Sequence, residues 1–531
     1  MRHRSWLALA CAGLAALLYA NTLHHGYALD DYPTIYGNRL TMAGVRGIPA
    51  LLHTAYWYGL DGLNNWLYRP LSLVTFALEW QVAPDTPALG HAVNVALYAL
   101  TGVVLFRLLR SLFRDADVRV PLAIALLWIA HPTHTEVVAN LKSRDELLAF
   151  LFSLLTLQAC VRHALEPRRW QLPLAALCYA LALLAKESPI VLVAVIPMTR
   201  YAFTPAPARR IAATMRPIAM VTGLYLLVRG TVLTSLAGSG PIALIDNSLV
   251  AAPDLAHRLA TAFYVGAQYL RLLFFPLVLS SDYSYPQIPV VGFDNPVALG
   301  SLVLHVALLA WGCVRLWKRD AVGYGILFYL LGMALVANVL FLTHSTMADR
   351  FLYAPSLGVV MAVVVVMARA LDRAAFAGVV AALLLVAAVR TWTRNPDWRN
   401  DTTIFEADAR HAPNSARVHF LRGNHLVQEL KAGHLAPDFA QATYATAMAE
   451  FRRAIALYPA YPEPHMGIGD AYLATQDYPA AVAWYRELTR RNPRFAVGYY
   501  FLGVAFDGLG AHDSAAVYRA RAVAIDPRLG K

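Results

Sequence analysis

The sequence predicts an all-α protein in two parts, a polytopic membrane bundle of about eleven spanning helices followed by a soluble α-solenoid, and three observations carry that prediction. The first is composition: 58% of the 531 residues are hydrophobic, 15% are charged, and the mean hydropathy is +0.47, which excludes an ordinary string of soluble domains. The second is that apolar runs of about 15 to 25 residues, long enough to cross a hydrocarbon core, recur up to about residue 392 and then stop. The third is that Pro459, Pro493 and Pro527 lie 34 residues apart, a helical-repeat period.

The apolar runs read as membrane segments at 6 to 20, 89 to 113, 119 to 132, 146 to 165, 171 to 185, 188 to 203, 211 to 229, 257 to 280, 295 to 317, 322 to 343, 350 to 369 and 374 to 392. The first is expected to be an uncleaved helix, because Tyr19-Ala20-Asn21 is a poor small-residue cleavage site. Arg2 and Arg4, then Arg107, Arg110, Arg114 and Arg119, then Arg162, Arg168 and Arg169, then Arg200, Arg209 and Arg210 mark successive cytoplasmic turns. If the segment at 257 to 280 also spanned, Arg315, Lys318 and Arg319 would fall outside. This segment contains Arg258 and Arg271 and ends in Phe275-Pro276, so it is expected to be re-entrant or interfacial. Eleven spans with the N-terminus inside would place everything after residue 392 outside. Four cysteines, Cys11, Cys160, Cys178 and Cys313, all in apolar stretches, exclude a disulfide framework, a zinc ribbon and a paired-thiol redox site. The net charge of +12 is spread between apolar runs as topology signals, so no nucleic-acid partner is expected.

The expected domains are 1–394 in the membrane and 395–531 outside it. Gly469 and Gly503 each follow a repeat proline by ten residues, as Gly423 follows Pro413, and Ala481 and Ala515 occupy the small position where the second helix of a tetratricopeptide repeat packs on the first. Ala447, Phe451 and Ala454 complete a first repeat if about twelve residues near Glu429 to Ala440 are inserted. Three repeats result, with 395 to 412 as a capping helix. Such repeats commonly present a groove to a peptide, so a protein partner is expected, with an inert assembly scaffold as the plainer reading.

Polar residues gather in the loops expected on the external side. Asp30 and Asp31 follow the first helix, and such a pair can supply a general base, although a solvated loop or helix cap explains most Asp-Asp pairs. Tyr68-Arg69-Pro70 opens an amphipathic surface stretch to Val82, where Arg69 could face a lipid phosphate or anchor the helix. His131, His134 and Glu136 have the residue types of a metal cluster, but the spacing is not that of a zinc-protease helix, and capping or loop hydrogen bonds are an equal reading. Lys142, Arg144, Asp145, Glu146, Lys186 and Glu187 are charges near the bilayer that need partners, and His344, Asp349, Arg350 and Tyr353 enter from the same side. A cationic pocket near the headgroups is what a lipid-linked phosphate requires.

Asp30-Asp31, Tyr68-Arg-Pro-Leu71, His131-Pro-Thr-His-Thr-Glu136 leading to Arg144-Asp-Glu-Leu-Leu148, Ala185-Lys-Glu187, Ala348-Asp-Arg-Phe-Leu-Tyr353 and Arg394-Asn-Pro-Asp-Trp398, followed by the repeats, occur in an order that resembles the transmembrane and tetratricopeptide repeat-containing O-mannosyltransferases. The resemblance covers almost the whole chain. It implies a GT-C fold and a glycosyltransferase that moves a sugar, mannose in this family, from a polyprenyl or dolichyl phosphate to a Ser or Thr hydroxyl of a protein. By the resemblance Asp30, beside Asp31, is the base; the reading of a cationic pocket sets Arg350, Arg69, Lys186, Arg144 and Tyr353 around the donor phosphate, with His131, His134, Glu136, Glu187, His344 and Asp349 lining the site. Asp349 stands where an acid one carbon longer is common. The lipid-linked donor is a substrate, no cofactor is otherwise implied, and a divalent metal is left open. Abundant Arg and Ala suggest a GC-rich bacterial genome, hence a bacterial inner membrane with the site and repeats facing the periplasm, or the endoplasmic reticulum lumen in a eukaryote. The competing readings are a GT-C enzyme acting on lipid or cell-wall glycan, and a non-enzymatic transporter or assembly scaffold. A transporter would call for midplane charges and paired halves, whereas the polar residues here sit at helix ends.

Overall fold

The computed structural model describes residues 5–60, 62, 67–205, 207–234 and 241–530. Arg2 and Arg4, read above as topology signals, lie outside the described residues. The described residues form α-helices, short helical turns and loops, with no strand among them. In chain order the helices are α1 (Ser5–Tyr19), α2 (Arg39–Met42), α3 (Ile48–Leu51), α4 (Pro70–Val82), α5 (Pro87–Leu112), α6 (Arg119–Ile129), α7 (Thr135–Ala139), α8 (Arg144–Leu165), α9 (Gln171–Ala185), α10 (Leu192–Phe203), α11 (Ala208–Thr234) and α12 (Leu255–Phe274). They continue as α13 (Pro296–Trp317), α14 (Ala321–Met333), α15 (Ser356–Ala370), α16 (Arg373–Arg394), α17 (Asp401–His411), α18 (Ala416–Ala432), α19 (Pro437–Leu457), α20 (Pro462–Ala474), α21 (Tyr478–Arg491), α22 (Ala496–Gly508) and α23 (His512–Ile525). The chain divides into two compact units, one of residues 1–243, 249–281 and 290–404, the other of 244–248, 282–289 and 405–531.

In the first unit the expected apolar runs become helices whose ends are set by side chains. Asn295 accepts from the backbone N–H groups of Val297 and Ala298, Asp320 from Val322, and Asp372 from Ala374 and Ala375, each satisfying donors that the first helical turn leaves unpaired. Five of the helices are long and apolar enough to cross a membrane. A sixth span results if α6 and the 132–139 segment are joined across a 50° bend, and five further apolar helices are shorter. The bend falls at Pro132, which can neither continue the donor ladder of α6 nor let His131 adopt helical backbone. The chain is thus a helical membrane protein. α8 is its buried core, packed on α5, α9 and α10, whereas α13 and α16 turn Val303, Leu309, Leu385 and Val389 outward as a lipid-facing surface requires. α14 and α15 touch backbone to backbone at Gly325 and Gly358, where a Cβ on either residue would run into the other's carbonyl oxygen.

Two predicted spans come out shorter. The run at 322 to 343 is helical only to Met333, and the run at 350 to 369 becomes regular helix only at Ser356. Between them Asn338, at φ 58°, folds the chain back: its amide donates to the carbonyls of Ser345 and Thr346 while its oxygen accepts from Thr343 N. Asn tolerates this left-handed backbone better than the surrounding apolar residues do. The segment at 257 to 280 becomes α12, capped by Asp254 and ended before Phe275-Pro276.

The second unit stacks three helical hairpins, α18–α19, α20–α21 and α22–α23. Ala447, Phe451, Ala454, Ala481 and Ala515 are buried at the small and aromatic positions anticipated from the 34-residue period. Gly469 lies against the Tyr485 ring, so close that a Cβ there would overlap it, which explains the glycine ten residues after the repeat proline. The expected insertion is divided between an extended end of α18, closed by Gly433 at φ 70°, and an extended start of α19. The segments 244–248 and 282–289 belong to this unit: Arg417 pairs with Asp246 and lies 3.8 Å from Asp282, which also accepts from Ser415 Oγ at 2.6 Å. The expected cap at 395 to 412 is a short turn at Asn395–Trp398 followed by α17.

Candidate functional site

The first unit gathers, from segments far apart in sequence, most of the charged residues singled out above. The two acids of the first loop separate into different environments. Asp31 is buried and uses both oxygens as struts, Oδ2 accepting from Ala28 N at 2.9 Å and Oδ1 from Lys142 N at 2.7 Å. Burial pushes its carboxyl up to about 7, against these two N–H donors, which favour the charged form. Leu29 is held at φ 53°, an unfavourable left-handed backbone for leucine, with its N–H donated to Asp401 at 2.7 Å. This pinned turn presents Asp30 with half of its side chain exposed and Oδ2 3.9 Å from Lys142 Nζ.

From Lys142 the ionic chain continues 3.8 Å to Asp145, whose Oδ2 accepts from Arg69 Nη1 at 2.7 Å. Arg69 grips Glu187 with Nε at 3.0 Å and Nη2 at 2.5 Å, so all three of its nitrogens are occupied. Lys186 donates to Glu146. Arg350 donates to Glu136 from Nη1 at 2.5 Å and from its backbone N at 2.9 Å. Four cations, Arg69, Lys142, Lys186 and Arg350, thus face five carboxylates, Asp30, Glu136, Asp145, Glu146 and Glu187. Burial works against the Arg350 charge, but Glu136, Asp30 and Glu146 outweigh it and hold the guanidinium firmly protonated. Burial lowers Lys142, with Asp145 and Asp30 acting in the opposite direction.

An incoming anion therefore meets no bare cation and must compete with carboxylates. Besides Lys142, whose Nζ has only ion pairs at 3.8 and 3.9 Å, Lys186 and Arg350 keep hydrogen-bonding capacity to spare, since one of three ammonium donors and one guanidinium nitrogen are engaged. Both open onto one solvent-open cleft, walled by Phe150 and Leu154 of α8, Leu192 and Val195 of α10, and Phe328 of α14. Phe351 lies between the two cations, its ring 5.9 Å from Lys186 Nζ and 5.3 Å from the Arg350 guanidinium carbon. The arrangement suits an amphiphile with an anionic head and an apolar chain.

Other expected site residues lie elsewhere. Arg144, anticipated at a donor phosphate, is instead fully buried and saturated: it donates to Asn94 at 2.7 Å, Thr75 at 3.2 Å and the Gly90 carbonyl at 3.0 Å, pairs with Glu79, and covers the Phe76 ring at 4.2 Å. A guanidinium so enclosed ties α4 and α5 to the start of α8. Tyr353 is also directed away from the charges, into a ring cluster with Trp128 at 5.2 Å, His134 at 4.9 Å and Phe150 at 5.3 Å. His131 pairs through Nε2 with the Leu273 carbonyl at 3.0 Å and through Nδ1 with Thr133 at 2.8 Å; His134 pairs with Tyr98 and Ser356, both at 3.0 Å. With Glu136 committed to Arg350, these three do not converge, and among the described residues no group of three His, Cys, Asp or Glu side chains is arranged to hold a metal ion. Asp349 accepts from Ser280 N at 3.2 Å, and His344 is exposed.

Several contributors were not anticipated. Phe351 lies inside a motif that was noted for its charges. Asn94 stood out only as an amide within an apolar run, a signal for a buried polar contact. Glu79 on a surface helix and Asp401 beyond the last span carried no local signal.

A tetratricopeptide repeat family model matches residues 438–499, covering α19 to α21. Similar curated proteins include protein O-mannosyl-transferase Tmtc2 of Drosophila melanogaster, 30% identical over 58% of this chain and 34% of that protein. Protein O-mannosyl-transferase TMTC4 of Homo sapiens is 24% identical over 80% of this chain and 64% of that protein, and Tmtc1 of Drosophila melanogaster is 34% identical over 36% and 22%. The chain thus spans between about a fifth and two thirds of these relatives' lengths. The helical membrane unit and the repeats agree with these matches, and the chain is similar to the transmembrane and tetratricopeptide repeat-containing O-mannosyltransferases.

Proposed function

We propose that this chain is a GT-C glycosyltransferase that moves a sugar, mannose, from a polyprenyl-phosphate donor to a Ser or Thr hydroxyl of a protein on the non-cytoplasmic side of the membrane. The observation that carries the reading is the cleft whose apolar helical walls end at Lys186 and Arg350, with Asp30 near enough to act on the Arg350 charge. The prenyl chain occupies the apolar length and the phosphate lies between the two cations, displacing part of their hold on Glu146 and Glu136.

In the transfer the acceptor oxygen forms a bond to C1 of the sugar as the C1–O bond to phosphate breaks. The proton of the hydroxyl goes to the Asp30 carboxylate, and the bonding pair leaves with the phosphate, whose added charge Lys186 and Arg350 neutralise. One displacement inverts the anomeric centre. Lys142 Nζ lies 3.9 Å from Asp30 Oδ2. Asp31 holds the loop in place, Arg69 holds Asp145 and Glu187, and Arg144 positions α8; none of these three needs to touch substrate. Charges at helix ends beside an apolar groove favour this reading over a transporter.

The test incubates the purified chain with labelled prenyl-phosphate mannose and Ser/Thr peptides, followed by mass spectrometry. A hexose on a hydroxyl residue, formed in proportion to donor, is expected. Transfer only to a lipid or glycan acceptor would replace the protein acceptor in the reading, and no donor turnover with any acceptor would reject it.

A further inference from the structure

The repeat unit carries a groove that the membrane chemistry does not use. Two adjoining depressions on it share His465, Trp484 and Arg491. Their floor is apolar, from Ile455 of α19, Ile468 of α20 and Leu488 of α21. Trp484 is fixed in place: its indole N–H donates to the His465 carbonyl at 2.5 Å, and its ring stacks on the His465 imidazole at 6.0 Å and 23°. A rigid, partly buried indole costs little further entropy when a partner covers it.

The rim is cationic. Arg452 is exposed and has no carboxylate at ion-pair distance among the described residues. Its neighbour Arg453 is turned away to the Pro413 carbonyl and Asn414. Arg491 shares Glu487 with Arg490, using only Nε, so one acid on the rim answers to two guanidinium groups. An apolar floor under arginines that are not fully neutralised is complementary to a chain alternating carboxylates with aliphatic side chains.

We propose that this groove docks an acidic, leucine-containing segment of a protein partner, with Arg452 and Arg491 holding its carboxylates and Trp484 covering its aliphatic side chains. If the proposed function holds, that partner is the acceptor, and docking raises its local concentration at the membrane unit.

The test measures fluorescence anisotropy of labelled ten-residue Glu/Leu and Lys/Leu peptides with the full chain in detergent, without donor, so the result is independent of sugar transfer. The acidic peptide should bind more tightly and weaken with added salt. The Arg452→Glu/Arg491→Glu double variant should bind it about tenfold more weakly and prefer the Lys/Leu peptide. A variant that has merely misfolded binds neither, and the milder Arg452→Gln, at an exposed position, should still lose part of the acidic preference. Equal affinity for both peptides, or an acidic preference untouched by Arg452→Gln and by the double variant, overturns the proposal. So does binding of a mannosylated peptide irrespective of its charge, which would make the groove a glycan site. Normal docking with no sugar transfer would sink only the catalytic reading.

Discussion

Replacing Arg350 by Ala tests the cationic end of the cleft and has two separable consequences. The first is structural: Glu136 is almost fully buried and would lose the 2.5 Å bond from Nη1, retaining only the backbone N–H of residue 350. Leaving a buried carboxylate without its partner costs about 3 to 5 kcal/mol, and the partial exposure of Arg350 points to the lower end, about 3 kcal/mol. The second is chemical: loss of a charged hydrogen bond to a leaving phosphate costs about 1.5 to 3 kcal/mol, a fall of roughly 10- to 150-fold in donor turnover. Pairing the substitution with Glu136→Gln separates the two, because the amide no longer leaves a charge stranded. Thermal unfolding in detergent and labelled-donor turnover are read on Arg350→Ala, Glu136→Gln and the double variant. Stability should recover in the double variant while turnover stays low. If both recover together, Arg350 serves only as a partner for Glu136, and the phosphate-binding role assigned to it is refuted.

Asp30→Asn should reduce transfer to background while donor binding and unfolding temperature stay near those of the parent, since the half-exposed amide keeps the shape but takes no proton; full activity would move the base elsewhere. Asp31 should behave as a stability element. Its carboxyl is raised from an ordinary value near 3.8 to about 7, so its contribution is fully present below about pH 4 and is lost as pH rises through about 7, by at most roughly 4 kcal/mol. Asp31→Asn should flatten that decline in unfolding temperature between pH 4 and 8, and an unchanged slope would contradict the assignment. Ending the chain at residue 457 keeps Ser415 and Arg417, which hold Asp282 and Asp246, but removes α20 to α23. This truncation should spare transfer to a small hydroxyl acceptor and depress transfer to a protein, and equal loss of both would mean that the removed helices serve stability instead.

Much of the fold was legible in the sequence because its signals are local. Apolar run length and the 34-residue proline spacing each depend on residues within one run or one repeat. The shortened spans at 322 to 343 and 350 to 369 escaped that reading because hydropathy does not distinguish an apolar helix from an apolar segment folded back by Asn338.

The sequence alone determined which residue types were present: acids after the first helix, cations beside the spans, apolar walls, and a helical repeat. Only tertiary structure decided which of them act together. Asp30 and Asp31 are adjacent and chemically identical, yet one is half-exposed beside Lys142 and the other is a buried strut, because backbone donors at residues 28 and 142 happen to close around the second. Arg69, Arg144, Lys186 and Arg350 read as equivalent cations until their partners are known. Glu187 lies 118 residues from Arg69, and Glu136 lies 214 from Arg350. Coulomb energy and desolvation depend on separation in space, and no pattern along the chain encodes separations of that kind.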